Sequence, residues 1–174
     1  MVYPIVLYGN PILREILEEI PLNSDVLNIV NKLQKTLDHS AGVGLAANQI
    51  NINSQIFIIS INEKDYNFNQ VFINPNIILK SKETNIIEEG CLSLPNITEE
   101  IERSEAILIE FYDENWNYHK KNYSKLEARI IQHEYDHLKG ILFLDHLSSE
   151  KQIKLLTPLQ NIAQRKIEVN YPII

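Results

Sequence analysis

The sequence is most strongly constrained by a metal-binding pattern within a predicted helix. Apolar residues recur at helical spacing across Ser124–Leu138. Inside this segment the chain reads His-Glu-Tyr-Asp-His, which is the pattern H-E-x-x-H. Because positions i and i+4 lie on one helix face, His133 and His137 can bind the same metal ion. Glu134 can then reach a water molecule held by that ion, which makes it a candidate general base.

A site with two histidines needs a third protein ligand, and the residues alone leave its identity open. The longer pattern H-E-x-x-H-x-x-G-x-x-H is excluded because Phe143 stands where its last histidine would be. Glu150 and Glu168 are possible carboxylate ligands from the end of the chain. Cys91, the only cysteine, follows a glycine between strand-like segments and can offer a thiolate. A small buried core residue is the alternative for this cysteine.

Residues 42–49, which read GVGLAANQ, form a second candidate element. Gly42 and Gly44 allow another backbone or a ligand to approach closely, and Gln49 offers an amide donor. A phosphate-binding loop is excluded because no Lys-Ser/Thr pair follows, and the third glycine of a dinucleotide fingerprint is missing.

The remaining pattern predicts one α+β domain over residues 1–174, with antiparallel or mixed sheets packed around the helix that carries HEYDH. Apolar spacing predicts an N-terminal helix over Ser24–Ser40, with Asn23 or Ser24 as its N-cap. A C-terminal helix is expected over about 148–167, kinked or restarted at Pro158. Runs of β-branched residues predict three strands, Gln55–Ile61, Val71–Leu79 and Ala106–Tyr112.

Charge and hydropathy exclude several classes of protein. The net charge of −7 disfavours general binding to nucleic acid, whose phosphates attract basic proteins. The apolar runs are far shorter than the roughly 18 residues that a membrane-spanning helix needs. The N-terminal sequence lacks the basic and apolar regions of a signal peptide, so a cytoplasmic location is expected.

Three segments together resemble the signature motifs of peptide deformylases: GVGLAANQ at 42–49, EGCLS at 89–93 and QHEYDHL at 132–138. Their order and approximate separation also match, and the N-terminal PIVLYGNPILRE is similar to the start of that family. The resemblance implies a hydrolase that removes the formyl group from the N-terminal formyl-methionine of new polypeptides and releases formate.

The resemblance also implies roles for individual residues. Three side chains would hold the metal ion: Cys91, His133 and His137. Water on the metal would attack the formyl carbonyl, with Glu134 as the acid and base. Gln49 and the backbone N–H of Leu92 would form the oxyanion hole.

Around this centre, further residues are expected to contact the substrate or the ligands. Gly44 would pair with the substrate backbone. The candidates for the methionine pocket are Val43, Leu126 and Ile130. Glu89, Arg103 and Asp136 are candidates to orient the metal ligands, with ordinary surface ion pairs as the alternative.

Family resemblance implies one divalent metal ion per chain, Fe(II), with zinc, nickel or cobalt as replacements. The expected partners are N-formylmethionyl nascent peptides, without direct binding to nucleic acid or membranes. A transient ribosome contact would use the basic residues of the last helix, for which a solvated face is the alternative; these are Lys151, Lys154, Arg165 and Lys166.

Two other functions remain open at this stage. A zinc peptidase that cuts internal peptide bonds would need Glu150 or Glu168 as its third ligand. A non-catalytic metal-binding homologue is the second alternative, although the candidate catalytic residues are all present. The other histidines, His39, His119 and His146, have no partner pattern and are expected to face solvent or to cap helices.

Overall fold

A computed structural model describes residues 2–64 and 66–174. It has four α-helices, α1 (Leu27–Ser40), α2 (Lys125–Leu138), α3 (Ser149–Lys154) and α4 (Leu156–Ala163). The strands are β1 (Gly44–Ala46), β2 (Ile56–Glu63), β3 (Tyr66–Lys80), β4 (Thr84–Gly90), β5 (Thr98–Ser104), β6 (Ala106–Tyr112) and β7 (Tyr118–Ser124). Short 3₁₀ turns cover Pro11–Arg14, Ala47–Ile50 and Phe143–His146.

Two antiparallel sheets surround α2, as the α+β prediction required. The larger sheet has the order β1-β2-β3-β6-β7, and the smaller one is the β4–β5 hairpin. Alternate residues of the larger sheet point into the core, where Phe72 stacks on Phe57 and packs at a tilt against Phe111, at centroid distances of 4.6 and 4.3 Å. Helix α2 packs against this sheet and contacts β1, β2 and β7. Among the helices of the described residues, none is long and apolar enough to cross a membrane.

The predicted N-terminal helix exists, but its predicted start is wrong. Helix α1 begins at Leu27, with Val26 at the N-cap position. Ser24 instead donates its hydroxyl to the Pro21 carbonyl at 2.6 Å, and Asn23 adopts a left-handed φ of 62°. Both polar residues therefore shape the turn that precedes the helix and do not cap it.

The three predicted strands are present, two of them with shifted ends, and the described residues contain four further strands that were not predicted. Strand β6 has the predicted limits, whereas the Val71–Leu79 strand extends over Tyr66–Lys80. Strands β4, β5 and β7 are rich in charged and polar residues because most of their side chains remain exposed. They carry too few buried positions to give an apolar alternation that the sequence could reveal.

The predicted C-terminal helix is divided and ends earlier than position 167. Leu155 separates α3 from α4, and Pro158 lies in the first turn of α4, where its missing N–H costs no intrahelical bond. Beyond Ala163 the chain forms a tail that lies beside the N-terminal segment. The carbonyl of Pro172 accepts from the Ile5 N–H at 2.8 Å, and a parallel bridge joins Ile5 to Ile173.

Gly140 ends the α2 region in a conformation that a side chain would disfavour. Its φ is +70°, and an added Cβ would lie 2.5 Å from the carbonyl oxygen of Arg14. We therefore expect Gly140→Ala to lower the free energy of unfolding by about 1–3 kcal/mol. Urea denaturation of both proteins would measure the difference.

The reverse change at another left-handed position provides the control. Ala41, which ends α1, has a φ of 55°, and Ala41→Gly should stabilise the protein by up to about 1 kcal/mol. An unchanged denaturation midpoint for Gly140→Ala would contradict the assigned strain.

Candidate metal centre

Three predicted ligands meet where the β4–β5 hairpin faces α2. His133 and His137 lie one turn apart on α2, and Cys91 follows the last residue of β4. The ligand atoms of all three residues lie within 4.8 Å of one another. The Cys91 Sγ atom is 3.3 Å from His137 Nε2. No other group of three His, Cys, Asp or Glu side chains in the described part of the chain is arranged to hold a metal ion.

These donors fit a divalent transition metal. With bonds of about 2.0–2.1 Å to nitrogen and about 2.3 Å to sulfur, tetrahedral ligand atoms lie roughly 3.3–3.6 Å apart. The sulfur–nitrogen distance in this centre is already of that size. Among the competing third ligands, Glu150 instead binds Lys154 at 2.7 Å on the exposed face of α3. A thiolate with two imidazoles is a donor set that first-row metals accept.

The electrostatics of the centre favour a thiolate at Cys91. Burial raises the pKa of the Cys91 thiol, but the neighbouring imidazoles of His137 and His133 outweigh it and lower the pKa to about 5. Burial lowers the pKa of His133, but hydrogen bonds with Cys91 and Glu89 outweigh this effect, so that the pKa is raised. The sulfur therefore carries negative charge that a proton on His133 or a metal cation can neutralise.

Glu134 presents a carboxylate oxygen without a protein partner. The residue is 4% exposed, and its Oε2 atom is buried with no hydrogen bond to the described residues. Burial raises the pKa of this carboxyl to about 7, although His133 and His137 act in the opposite direction. Its other oxygen packs on Gly44, where an added Cβ would lie only 2.5 Å from Oε1. The lack of a side chain at Gly44 thus makes room for the candidate base.

Gln49 is oriented by a hydrogen bond to its own turn. Its Oε1 atom accepts from the Ala46 N–H at 2.9 Å, which leaves the amide nitrogen facing the centre. That nitrogen lies 3.4 Å from Cys91 Sγ and 3.2 Å from Ser93 Oγ. The N–H of Leu92, beside the same sulfur, has no acceptor among the described protein groups. Both predicted oxyanion donors therefore stand next to the candidate ligand Cys91.

A cleft of about 1000 Å³ opens over the centre and contains all four predicted substrate-binding residues. Ile130 is only 7% exposed, whereas Val43 and Leu126 are 48% and 47% exposed. Ile130 thus lies deep in the cleft, while the other two side chains form its rim. Gly44 belongs to β1, an edge strand of the larger sheet whose outer side has no strand partner among the described residues.

The predicted orienting residues form a buried ion network and not a surface pair. Arg103, which is 5% exposed, donates to Glu89 at 2.6 and 3.0 Å and to Asp136 at 2.7 Å. Glu89 in turn accepts from His133 Nδ1 at 2.9 Å, which leaves Nε2 of that ring for a metal. Although burial alone would raise the pKa of Glu89, its bonds to His133 and Arg103 hold it well below the usual range.

Several participants were missed by the sequence analysis. Arg129 donates to Glu89 at 2.7 Å and also binds the carbonyl of Ile101, joining α2 to the hairpin. Its position four residues before His133 on α2 was an available signal. His146 is exposed, as expected, but its Nε2 also lies 2.7 Å from Asp136 Oδ2, a partner that no sequence pattern indicated.

The other two histidines differ in whether they have a hydrogen-bond partner. His119 also has a partner, because its Nε2 lies 2.8 Å from Asp113. His39 is exposed at the end of α1, as predicted.

A family model, related sequences and a related structure all match this chain to peptide deformylases. A family model described as polypeptide deformylase matches residues 2–153. A peptide deformylase of Christiangramia forsetii is 40% identical, with 98% of this chain and 94% of that protein covered. One from Karelsulcia muelleri is 44% identical over 84% of this chain and 79% of its own. The crystal structure of a plant peptide deformylase superposes with a TM-score of 0.87 at 31% identity, covering 94% of this chain and 90% of that one.

Removing one cation from the buried network should be far more costly than removing one from the surface. We expect Arg103→Met to lower the free energy of unfolding by about 3–5 kcal/mol, because Glu89 and Asp136 would remain buried with a shared partner missing. Lys154→Met breaks an exposed ion pair and should cost less than about 1 kcal/mol. Urea denaturation of the two variants would test this, and equal losses would contradict the role of Arg103.

Proposed function

Because the chain belongs to the polypeptide deformylase family, we propose that its cleft binds formyl-methionine at the N-terminus of a new polypeptide and hydrolyses the formyl amide. Water supplies the oxygen, the bond between the formyl carbon and the nitrogen breaks, and the products are formate and a free amine. Residues 1–174 would act as one catalytic domain. The observation that carries this proposal is the grouping of Cys91, His133 and His137 beside a buried carboxylate oxygen of Glu134.

Cys91, His133 and His137 would hold one divalent ion, with Fe(II) the expected metal and zinc, nickel or cobalt as replacements. When bound, such an ion lowers the pKa of a coordinated water and polarises a carbonyl oxygen. Glu89 supports this arrangement by fixing the orientation of the His133 ring through Nδ1.

Glu134 would move the proton during hydrolysis. Its Oε2 atom is buried and has no hydrogen bond to the described residues, so it is available to accept a proton from the attacking water. The same carboxyl group would then donate this proton to the leaving amine nitrogen. A side chain at position 44 would displace this carboxyl group, because an added Cβ would lie 2.5 Å from Oε1.

The amide of Gln49 and the N–H of Leu92 would stabilise the negative charge that develops on the formyl oxygen. The Gln49 amide is already turned toward the centre by the Ala46 N–H, so little reorganisation is required when charge develops. Leu92 offers a backbone donor that no protein acceptor within the described ranges occupies.

The substrate backbone would pair with β1 at Gly44, since an edge strand leaves hydrogen-bonding groups free for an extended peptide. The methionine side chain would enter between Val43, Leu126 and Ile130. Nascent chains carry this substrate, so we place the reaction in the cytoplasm, without direct contact to nucleic acid or membranes.

A transient ribosome contact through the terminal helices stays a prediction. Lys151 and Lys154 already form ion pairs with Glu99 and Glu150, at 3.0 and 2.7 Å. The other two predicted cations, Arg165 and Lys166, are exposed but lie in the tail beyond the end of α4.

Formate release from a formyl-methionyl tripeptide would test the function. The protein should be purified without oxygen, and bound metal and formate should be measured in the same sample, because Fe(II) beside a thiolate is oxygen-sensitive. Glu134→Gln should keep its metal and lose nearly all turnover, since an amide cannot accept the proton.

Two further variants make this result specific. Glu127→Gln, on the same helix but bonded to Tyr66, should retain both metal and turnover. Cys91→Ser should lose metal, since a hydroxyl is a poor substitute for a thiolate. Cleavage of internal peptide bonds without formate release would support the peptidase alternative, and full turnover by Glu134→Gln would remove this residue from the mechanism.

Loss of the Gln49 amide should slow hydrolysis without emptying the metal site. We expect Gln49→Ala to bind metal normally while kcat falls about 10²–10³-fold, the usual effect of removing one oxyanion donor. Gln55→Ala is the matched control, because Gln55 is also buried and binds the Leu17 carbonyl away from the cleft. Steady-state kinetics of both variants would measure the difference, and similar values of kcat would refute the proposed role of Gln49.

A further inference from the structure

The C-terminal tail, residues 164–174, forms part of the wall of the catalytic cleft. Val169 and Tyr171 line this cleft together with Cys91 and Glu134. The end of the tail is fixed to the N-terminal segment, because Leu7 donates to the Ile174 carbonyl at 3.1 Å and Ile174 donates to the Ile5 carbonyl at 2.9 Å. The sequence motifs do not include this tail, and the sequence analysis placed it near the centre only through the alternative ligand Glu168, which lines the same cleft.

The N-terminal segment connects the tail with two of the three motifs. Along Ile5–Tyr8 the N–H groups alternate in direction. Those of Ile5 and Leu7 donate to the tail, whereas Val6 donates to the Gln49 carbonyl at 2.8 Å and Tyr8 donates to the Ser93 carbonyl at 2.9 Å. Tail, N-terminal segment and catalytic motifs therefore form one hydrogen-bonded unit.

The backbone carbonyl groups of Cys91, Leu92 and Ser93 each accept a hydrogen bond from a different donor. The Cys91 carbonyl accepts from the Leu94 N–H at 2.9 Å, and the Ser93 carbonyl accepts from Tyr8. Only the carbonyl of Leu92 is held by a side chain: the Tyr171 hydroxyl donates to it at 2.9 Å. The side chains of Tyr171 and Leu92 also pack against the same apolar cluster.

We propose that Tyr171 is a positioning residue for hydrolysis: its hydroxyl fixes the Leu92 carbonyl, and this restrains the backbone next to the Leu92 N–H, which would donate to the formyl oxygen. The inference rests on the proposed function of the cleft. Without the hydroxyl, the Leu92 carbonyl lacks a protein partner among the described residues, so the Leu92–Ser93 peptide unit can rotate. The preceding peptide unit, which carries the Leu92 N–H, then loses this restraint at the α-carbon that the two units share. The N–H of Leu92 would then be less well aligned when charge develops on the substrate.

Tyr171→Phe tests this directly, because the ring is kept and only the hydroxyl is lost. We expect kcat for formate release to fall about three- to tenfold, the loss that one neutral hydrogen bond corresponds to. KM, metal content and the melting temperature should remain close to those of the unmodified protein. A merely structural role would instead lower the melting temperature or the metal content.

Tyr112→Phe provides the matched control, because Tyr112 packs against the same apolar cluster and lies away from the catalytic cleft. It should leave kcat unchanged. An unchanged kcat in Tyr171→Phe, or a fall that follows loss of metal, would overturn the positioning role while formate release by the unmodified protein still supports the proposed function. Absence of formate release from the metal-loaded, unmodified protein would overturn the proposed function and this inference with it.

Discussion

The arrangement of the centre depends on one buried carboxylate, that of Glu89. It lies on β4 two residues before Cys91, and it accepts hydrogen bonds from Arg103 on β5 and from Arg129 and His133 on α2. Isolated charges are expensive to bury, so these groups are stable only in each other's presence. The network therefore joins the hairpin that leads to the candidate ligand Cys91 to the helix that carries the two candidate histidine ligands. Apolar packing alone allows sliding, whereas these directional bonds fix the relative position of the two elements.

A second carboxylate extends this constraint beyond the ligands. Asp136, between the two histidines on α2, binds both Arg103 and His146 through Oδ2 at 2.7 Å. The 3₁₀ turn that carries His146 is thereby connected to the hairpin through the helix. Although burial alone would raise the pKa of Asp136, its bonds with His146 and Arg103 lower it, so the carboxylate remains charged. The buried charged groups thus fix the positions of the elements around the site.

The sequence identified the features whose causes are local. Helix α2 was predicted to within one residue, because its apolar period and the following Gly140 are both visible in the sequence. The candidate ligands His133 and His137 were visible for the same reason, while the roles assigned to Cys91 and Leu92 came from family resemblance. The contributions of Arg129 and Tyr171 depend on partners far away in the sequence. Arg129 bonds to Asn85 and Glu89, 44 and 40 residues away, and Tyr171 bonds to Leu92, 79 residues away. Such contacts leave no periodic signal in a single sequence. Strands β4 and β5 have few buried residues, so they also give little apolar alternation from which a strand could be predicted.

Gly44 shows how the separate motifs constrain one another. From the sequence, its lack of a side chain appeared to serve the approach of a ligand or another backbone. In the structure, the nearest neighbour of an added Cβ is the carboxylate of Glu134, at 2.5 Å. An alanine at this position would have to displace the candidate base or the edge strand, and either movement would change the distance between the base and a substrate paired with β1. The glycine of the first motif and the glutamate of the third therefore share a space that would not hold a second side chain.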